Sequence, residues 1–173
     1  MDWETMESIL FSLDKIIFII YFLILSMVML VEGKVTSFVI TLVVLTLANG
    51  AMTSIVPSLY QYAVKPGLWT KFAWYASFAV IDTLAVFLLF KFHKLLKQSV
   101  GFIANIVGAL FVLFATLQTV RFIDRFVFEA EAFQLIYQYA IPFINMAIVP
   151  VLILVWLFDY GSRQKKIRQA VII

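Results

Sequence analysis

Asp82 is the only charged residue between Lys71 and Lys91, and its neighbours are Ala79-Val80-Ile81 on one side and Thr83-Leu84-Ala85-Val86 on the other. An ionised carboxylate in so apolar a run is costly, so the group is expected to be neutral, paired or wet. Ionisable residues of this kind mark proton relays, ion paths or ligand counter-ions. The alternative is a permanently protonated carboxyl that donates one hydrogen bond.

Three asparagines, Asn49, Asn105 and Asn145, fall in comparable apolar runs and extend the pattern. Thr46, Asn49, Gly50, Thr53 and Pro57 recur at helical spacing, which places one small, polar stripe on a single helix face. Gly101, Asn105, Gly108, Ala115 and Thr119 form a second stripe near heptad spacing, with side chains small enough for close backbone approach. Gln138, Pro142 and Asn145 share a third face, with Pro150 further along. Together these residues predict an intramembrane polar layer around Asp82, held by a hydrogen bond from Asn49 or Asn105. Its role is either interhelical adhesion, worth about 0.6 kcal/mol per polar contact, or ion handling by Asp82.

Other chemistries are excluded by composition. The chain has no cysteine, which removes disulfides, thiolate catalysis and Cys-based metal centres. Its single histidine, His93, cannot supply the paired axial ligands of a membrane cytochrome. Standing among Lys91, Lys94 and Lys97, it is expected to face solvent or lipid headgroups. No HExxH, GxSxG or phosphate-binding loop is present, and no two carboxylates share a depth at which acid and base roles could be divided. A non-enzymatic protein without a cofactor is the expectation.

The elements that must carry these residues are transmembrane helices. Of 173 residues, 64% are hydrophobic and 13% charged, against about 25% charged in a soluble domain. Five apolar runs, at about 9–31, 37–60, 68–90, 98–120 and 134–158, each reach the roughly 20 residues that cross a hydrocarbon core of about 30 Å. The connections are short, so successive spans form antiparallel hairpins in one all-α membrane domain. Pro66-Gly67 and Glu32-Gly33-Lys34 mark two turns, and the charged stretch from Arg121 to Glu131 separates the fourth span from the fifth.

Before the first span, Trp3, Met6, Leu10 and Leu13 repeat at helical spacing against Asp2, Glu4, Glu7 and Asp14. Such an amphipathic segment can lie along the membrane surface before the chain turns inward. The acidic start lacks the basic region of a secretory signal, which makes the first run a retained span. Between Ile16 and Val31 only Tyr21 and Ser26 are polar, so the first span is expected to be peripheral, with spans two to five enclosing the polar layer.

With the N-terminus outside, Lys34, Lys91, Lys94, Lys97, Arg163, Lys165, Lys166 and Arg168 fall inside, and Lys15, Lys65, Lys71, Arg121 and Arg125 outside. This bias favours N-out, C-in. The basic residues sit at span ends, which explains the net charge of +3 without nucleic acid. The run Arg163, Lys165, Lys166 and Arg168 is suited to anionic lipid or to a cytoplasmic partner. Short loops and no organellar signal point to a bacterial inner membrane. Two functions then compete: a non-enzymatic membrane subunit acting through helix and partner contacts, as a homo-oligomer or within a complex, and an oligomeric ion or proton channel or transporter with Asp82 in its path.

Overall fold

The computed structural model describes the backbone of residues 3–171 and the side chains of residues 12, 13 and 15–162. Its described residues form five α-helices: α1 (Trp3–Glu32), α2 (Ser37–Ala63), α3 (Leu68–Leu95), α4 (Phe102–Phe126) and α5 (Gln134–Val171). All five are long and apolar enough to cross a membrane, and the chain is an all-α, multi-pass membrane bundle. Consecutive helices pack as antiparallel pairs, and α5 closes the bundle by touching both α1 and α4.

The helix ends follow local chemistry. Thr36 caps α2, its hydroxyl accepting from the Val39 N–H at 3.3 Å. Gly33 and Gly67 adopt φ of 61° and 126°, backbone conformations that suit a residue without Cβ, and these turns start the second and third helices. The Thr70 hydroxyl donates to the carbonyls of Lys65 and Gly67, which tightens the turn between α2 and α3.

The α3–α4 hairpin has the clearest seam. On α3, Tyr75, Phe78, Asp82, Ala85 and Leu89 are buried at alternating steps of four and three residues. On α4, Ala104, Val107, Phe111, Phe114 and Gln118 are buried at the same steps. That repeat is the signature of shallow, left-handed helix packing. Its register is visible at two contacts: a Cβ on Gly108 would lie 3.5 Å from Leu89 and Phe90, and Tyr75 stacks obliquely on Phe122 with ring centres 6.0 Å apart. Asp82 lies midway between Leu89 and Tyr75, hence level with residue 115 of α4.

The first helix is not peripheral. Ile17, Tyr21, Ile24 and Val28 form their own four-three-four seam, and Tyr21 and Val28 are both wholly buried. This face meets the small stripe of α2, where a Cβ on Gly50 would approach Phe18 to 2.9 Å. Only the opposite face, with Leu23 and Leu30, is exposed. The physical reason is that apolar seams pack as well as polar ones in a bilayer, where association rests on close contact rather than on polarity. The polar content of a span therefore does not decide whether it lies inside.

Three boundaries also differ from expectation. The backbone is helical without a break from Trp3, so the amphipathic segment continues the first span instead of turning away from it. Its side chains up to Phe11, and that of Asp14, lie outside the described residues. The first part of the charged stretch, as far as Phe126, is the end of α4, where Arg121 and Asp124 pair with each other and are buried, and only Glu129 and Glu131 lie in the connection to α5. Finally, α5 continues through the basic run to Val171.

Gly108→Leu should cost about 1–3 kcal/mol, the range for overpacking a filled interior, because the added side chain meets Leu89 and Phe90. Leu23→Ala, on the exposed face of α1, should change stability by less than about 0.5 kcal/mol. Equal unfolding midpoints for the two variants in detergent would contradict this packing.

Candidate functional site

Contacts between neighbouring helices allow the buried polar residues to be placed by depth. Tyr60 meets Trp74 edge-on with centroids 6.2 Å apart, and Ser37 bonds His93. Asp82 consequently comes level with residues 48–52 of α2, the turn that holds Asn49. Phe18 opposite Gly50 sets Tyr21 near residue 47. Trp156 of α5 donates to Glu32 of the parallel α1 at 3.0 Å, which brings Asn145 to the depth of Tyr21.

One polar layer therefore crosses the middle of the bundle, with Tyr21 from α1, Asn49 and Thr53 from α2, Asp82 from α3 and Asn145 from α5. Tyr21, Asn49 and Asp82 are buried and Thr53 and Asn145 half-buried. The layer is short of hydrogen bonds: Tyr21 Oη, Thr53 Oγ1 and Asp82 Oδ1 are buried without any partner. Among the described residues no cation lies within ion-pair distance of Asp82. The expected hydrogen bond from Asn49 or Asn105 to Asp82 Oδ1 is not made.

The remaining candidates fall elsewhere. Asn105 is exposed on α4, one turn from the start of that helix, and does not join the layer. The Thr46 hydroxyl is satisfied within its own helix, donating to the Leu42 carbonyl at 2.7 Å. Gln138 is half-buried near the start of α5 beside Tyr137, which donates to Gln118 Oε1 at 2.9 Å. The side chains of Arg163, Lys165, Lys166 and Arg168 lie outside the described residues.

At the end of the bundle that holds the α3–α4 connection, His93 is buried, contrary to the solvent or headgroup position expected from its lysine neighbours. It continues the α3 seam one turn past Leu89, which turns it inward while the lysines point away. The Leu89 carbonyl can only accept, so Nδ1–H donates to it at 2.7 Å and Nε2 is left to accept from the Ser37 hydroxyl at 2.7 Å. Ser37 Oγ in turn accepts the Gly101 N–H at 2.9 Å. A Cβ on Gly101 would come within 2.9 Å of that oxygen, which is why glycine stands there. A serine donating to a neutral imidazole resembles a nucleophile and base pair, but here the group behind the imidazole is a backbone carbonyl and the serine oxygen is occupied by an amide. The arrangement ties the beginning of α2, the end of α3 and the start of α4 together.

At the opposite end Arg121 Nη1 donates to Asp124 Oδ2 at 2.8 Å, with both side chains buried, and the same oxygen accepts the Phe133 N–H at 3.2 Å. This pair holds the connection between α4 and α5 against the bundle. Neither terminal cluster gathers three His, Cys, Asp or Glu side chains among the described residues.

The sequence pointed to Asp82, Asn49 and Thr53 through their apolar surroundings and stripe. It missed Tyr21, whose signal was its place in the Ile17–Val28 spacing, and Ser37, which becomes notable only when α2 and α3 are adjacent. Comparisons with protein families, with curated proteins and with solved structures find no match to this chain.

Ser37→Ala should destabilise the protein by about 1–3 kcal/mol, because it leaves the buried His93 nitrogen and the Gly101 N–H without their partner. Ser54→Ala, which removes only an exposed hydroxyl bonded to its own helix, is the control and should be near neutral. Indistinguishable unfolding curves for the two would show that the serine–histidine link is energetically silent.

Proposed function

We propose that the chain is a non-enzymatic membrane subunit that works through lateral helix contacts, its partner being a second copy of itself. One observation carries this reading. On the flank of α4 turned away from α3, Asn105, Ala109, Val112, Thr116 and Thr119 are all exposed and follow a four-three-four-three spacing. A second interlocking seam is thus presented outward, made of small and polar residues of the kind that line helix interfaces in membranes.

The hydroxyls of Thr116 and Thr119 are already satisfied by the carbonyls of Val112 and Ala115, so they add smoothness without polar cost. Asn105 differs, because its amide gains from a partner in an apolar medium. In a parallel two-fold pair each seam residue meets its own copy, and an amide both donates and accepts. Asn105 is therefore self-complementary, as a single buried asparagine is in a coiled-coil dimer.

The charge distribution supports an orientation with the N-terminus outside and the C-terminus in the cytoplasm of a bacterial inner membrane. The basic end of α5 would then meet anionic lipid or a cytoplasmic partner. A second reading, an ion or proton path through Asp82, is favoured by the unpartnered oxygens of the central layer. Against it, among the described residues no second carboxylate, histidine, lysine or arginine stands at that depth to pass a proton onward.

The natural chain has no cysteine, so single substitutions report contacts directly. Asn105→Cys and Thr116→Cys should give disulfide-linked dimers on mild oxidation in membranes, and Val80→Cys, on the exposed face of α3, should not. Absence of dimers from both α4 variants would refute the self-association. Reporter fusions at Lys97 and after Ile173 should report the cytoplasm and one between Glu129 and Glu131 the opposite side; the reverse pattern would invert the topology.

A further inference from the structure

We propose that the end of the bundle holding the α1–α2 and α3–α4 connections is a binding surface for anionic phospholipid headgroups, formed by Lys34, Lys91, Lys94 and Lys97 with exposed apolar residues among them. The two connections lie side by side, because Ser37 Oγ bonds both His93 Nε2 at 2.7 Å and the Gly101 N–H at 2.9 Å. All four lysines are exposed, and among the described residues no carboxylate lies within ion-pair distance of any of them. Of the carboxylates at this end, Glu32 accepts from Trp156 and Asp159 stands on α5. The four ammonium groups are open to an anion from outside the chain.

Lys97 adds an observation that charge placement alone does not account for. The Gln98 N–H donates to the His93 carbonyl at 2.9 Å and the Lys97 N–H to the Lys94 carbonyl at 3.3 Å, and Lys97 itself takes φ of 52°. This is the left-handed helix end at which glycine usually stands, because a Cβ is disfavoured there. A topological charge bias asks only for basic residues near a span end, and the unstrained positions 98 and 99 would serve it as well. A lysine kept at the strained position points to a use for its ammonium at that place.

The apolar side chains choose between partners. Leu95 is 69% and Phe102 77% exposed, and Leu96 and Val100 are exposed as well, so the segment mixes cationic and apolar groups. A nucleic acid or an acidic peptide would leave these apolar side chains in water. A bilayer interface takes both, the acyl boundary covering Leu95 and Phe102 and the phosphates meeting the ammonium groups. Lys91, Lys94 and Leu95 share one face of α3, and the long lysine stems can run along apolar surface to the phosphate level. Lipid bound here bears on the start of α2, the end of α3 and the start of α4, the same elements that Ser37 ties together. The surface uses none of the basic run of α5 and does not depend on dimerisation.

The test is thermal unfolding of the purified full chain in a neutral detergent, titrated with phosphatidylglycerol or with phosphatidylcholine of the same acyl chains. A ligand of the folded state raises the midpoint as its concentration passes the dissociation constant. Wild type should show a larger, saturating rise with phosphatidylglycerol, and the excess should shrink in high salt, which screens exposed charges. Lys34→Gln, Lys91→Gln, Lys94→Gln and Lys97→Gly combined should abolish the excess, and Lys65→Gln, exposed on the α2–α3 connection at the opposite end, should keep it. Lys97→Gly alone should raise the midpoint without lipid, because glycine suits that backbone, and yet reduce the excess. Equal rises with the two lipids would overturn the proposal, as would an undiminished excess in the combined variant or an equal loss in Lys65→Gln. The same rise with inorganic phosphate alone would assign the surface to a free anion and equally refute it. Should the combined variant not fold, an undiminished excess in Lys97→Gly decides against the surface.

Discussion

Close packing along the α3–α4 seam is the constraint on which the rest of the bundle depends. In a bilayer, lipid tails are as apolar as leucine, so helices adhere only where their surfaces fit. The fit here begins where Leu89 and Phe90 meet Gly108 and continues outward to Tyr75 on Phe122. Once those contacts are made, the depth of Asp82 relative to α4 is no longer free. The hydrogen bonds of His93 and Ser37 carry the register on to α2, and Gly50 against Phe18 carries it to α1. A carboxyl group can be kept at the centre because the surrounding contacts leave it nowhere else to go.

Polar interactions are distributed accordingly. At the two ends, where water is near, they are complete: Arg121 with Asp124 and the Phe133 N–H, and His93 with Ser37 and Leu89. At mid-depth they are incomplete: Tyr21 Oη, Thr53 Oγ1 and Asp82 Oδ1 are each buried without a partner. Most other hydroxyls in the spans, such as Thr41, Thr46 and Thr83, turn back to a carbonyl four residues earlier and take no part in contacts between helices. The contrast makes the central layer distinctive, because hydroxyls elsewhere show how easily such a group is satisfied when nothing competes for it.

The number and approximate limits of the spans were legible in the sequence, since hydropathy over about 20 residues reports directly on the ability to cross a bilayer. Which faces turn inward was legible only in part. Polarity marked the inward position of Asn49 and Asp82 but misplaced Asn105, which shares their composition and has the opposite orientation. Tyr21 was overlooked because an apolar seam carries no polar flag, although the spacing of Ile17, Tyr21, Ile24 and Val28 encodes it. Charged neighbours misled at His93 and Arg121: lysines that point outward disguised an inward histidine, and an ion pair within one turn resembled a loop. These errors share a cause, in that composition describes a stretch of chain whereas burial is decided residue by residue around the helix.

The length of α5 has a mechanical consequence. At 38 residues and 1.5 Å per residue it is about 57 Å long, nearly twice the hydrocarbon thickness, and besides α1 and α4 it meets α3, where Tyr137 lies against Tyr75 with ring centres 5.8 Å apart. A tilt of about 20°, ordinary for a membrane helix, about a point at Trp156 displaces the C-terminal end, 15 residues on, by roughly 8 Å relative to an upright position. The helix is in effect a lever whose fulcrum lies where Trp156 holds Glu32. A change of tilt imposed by a thinner or thicker bilayer would carry the last turns of this helix sideways.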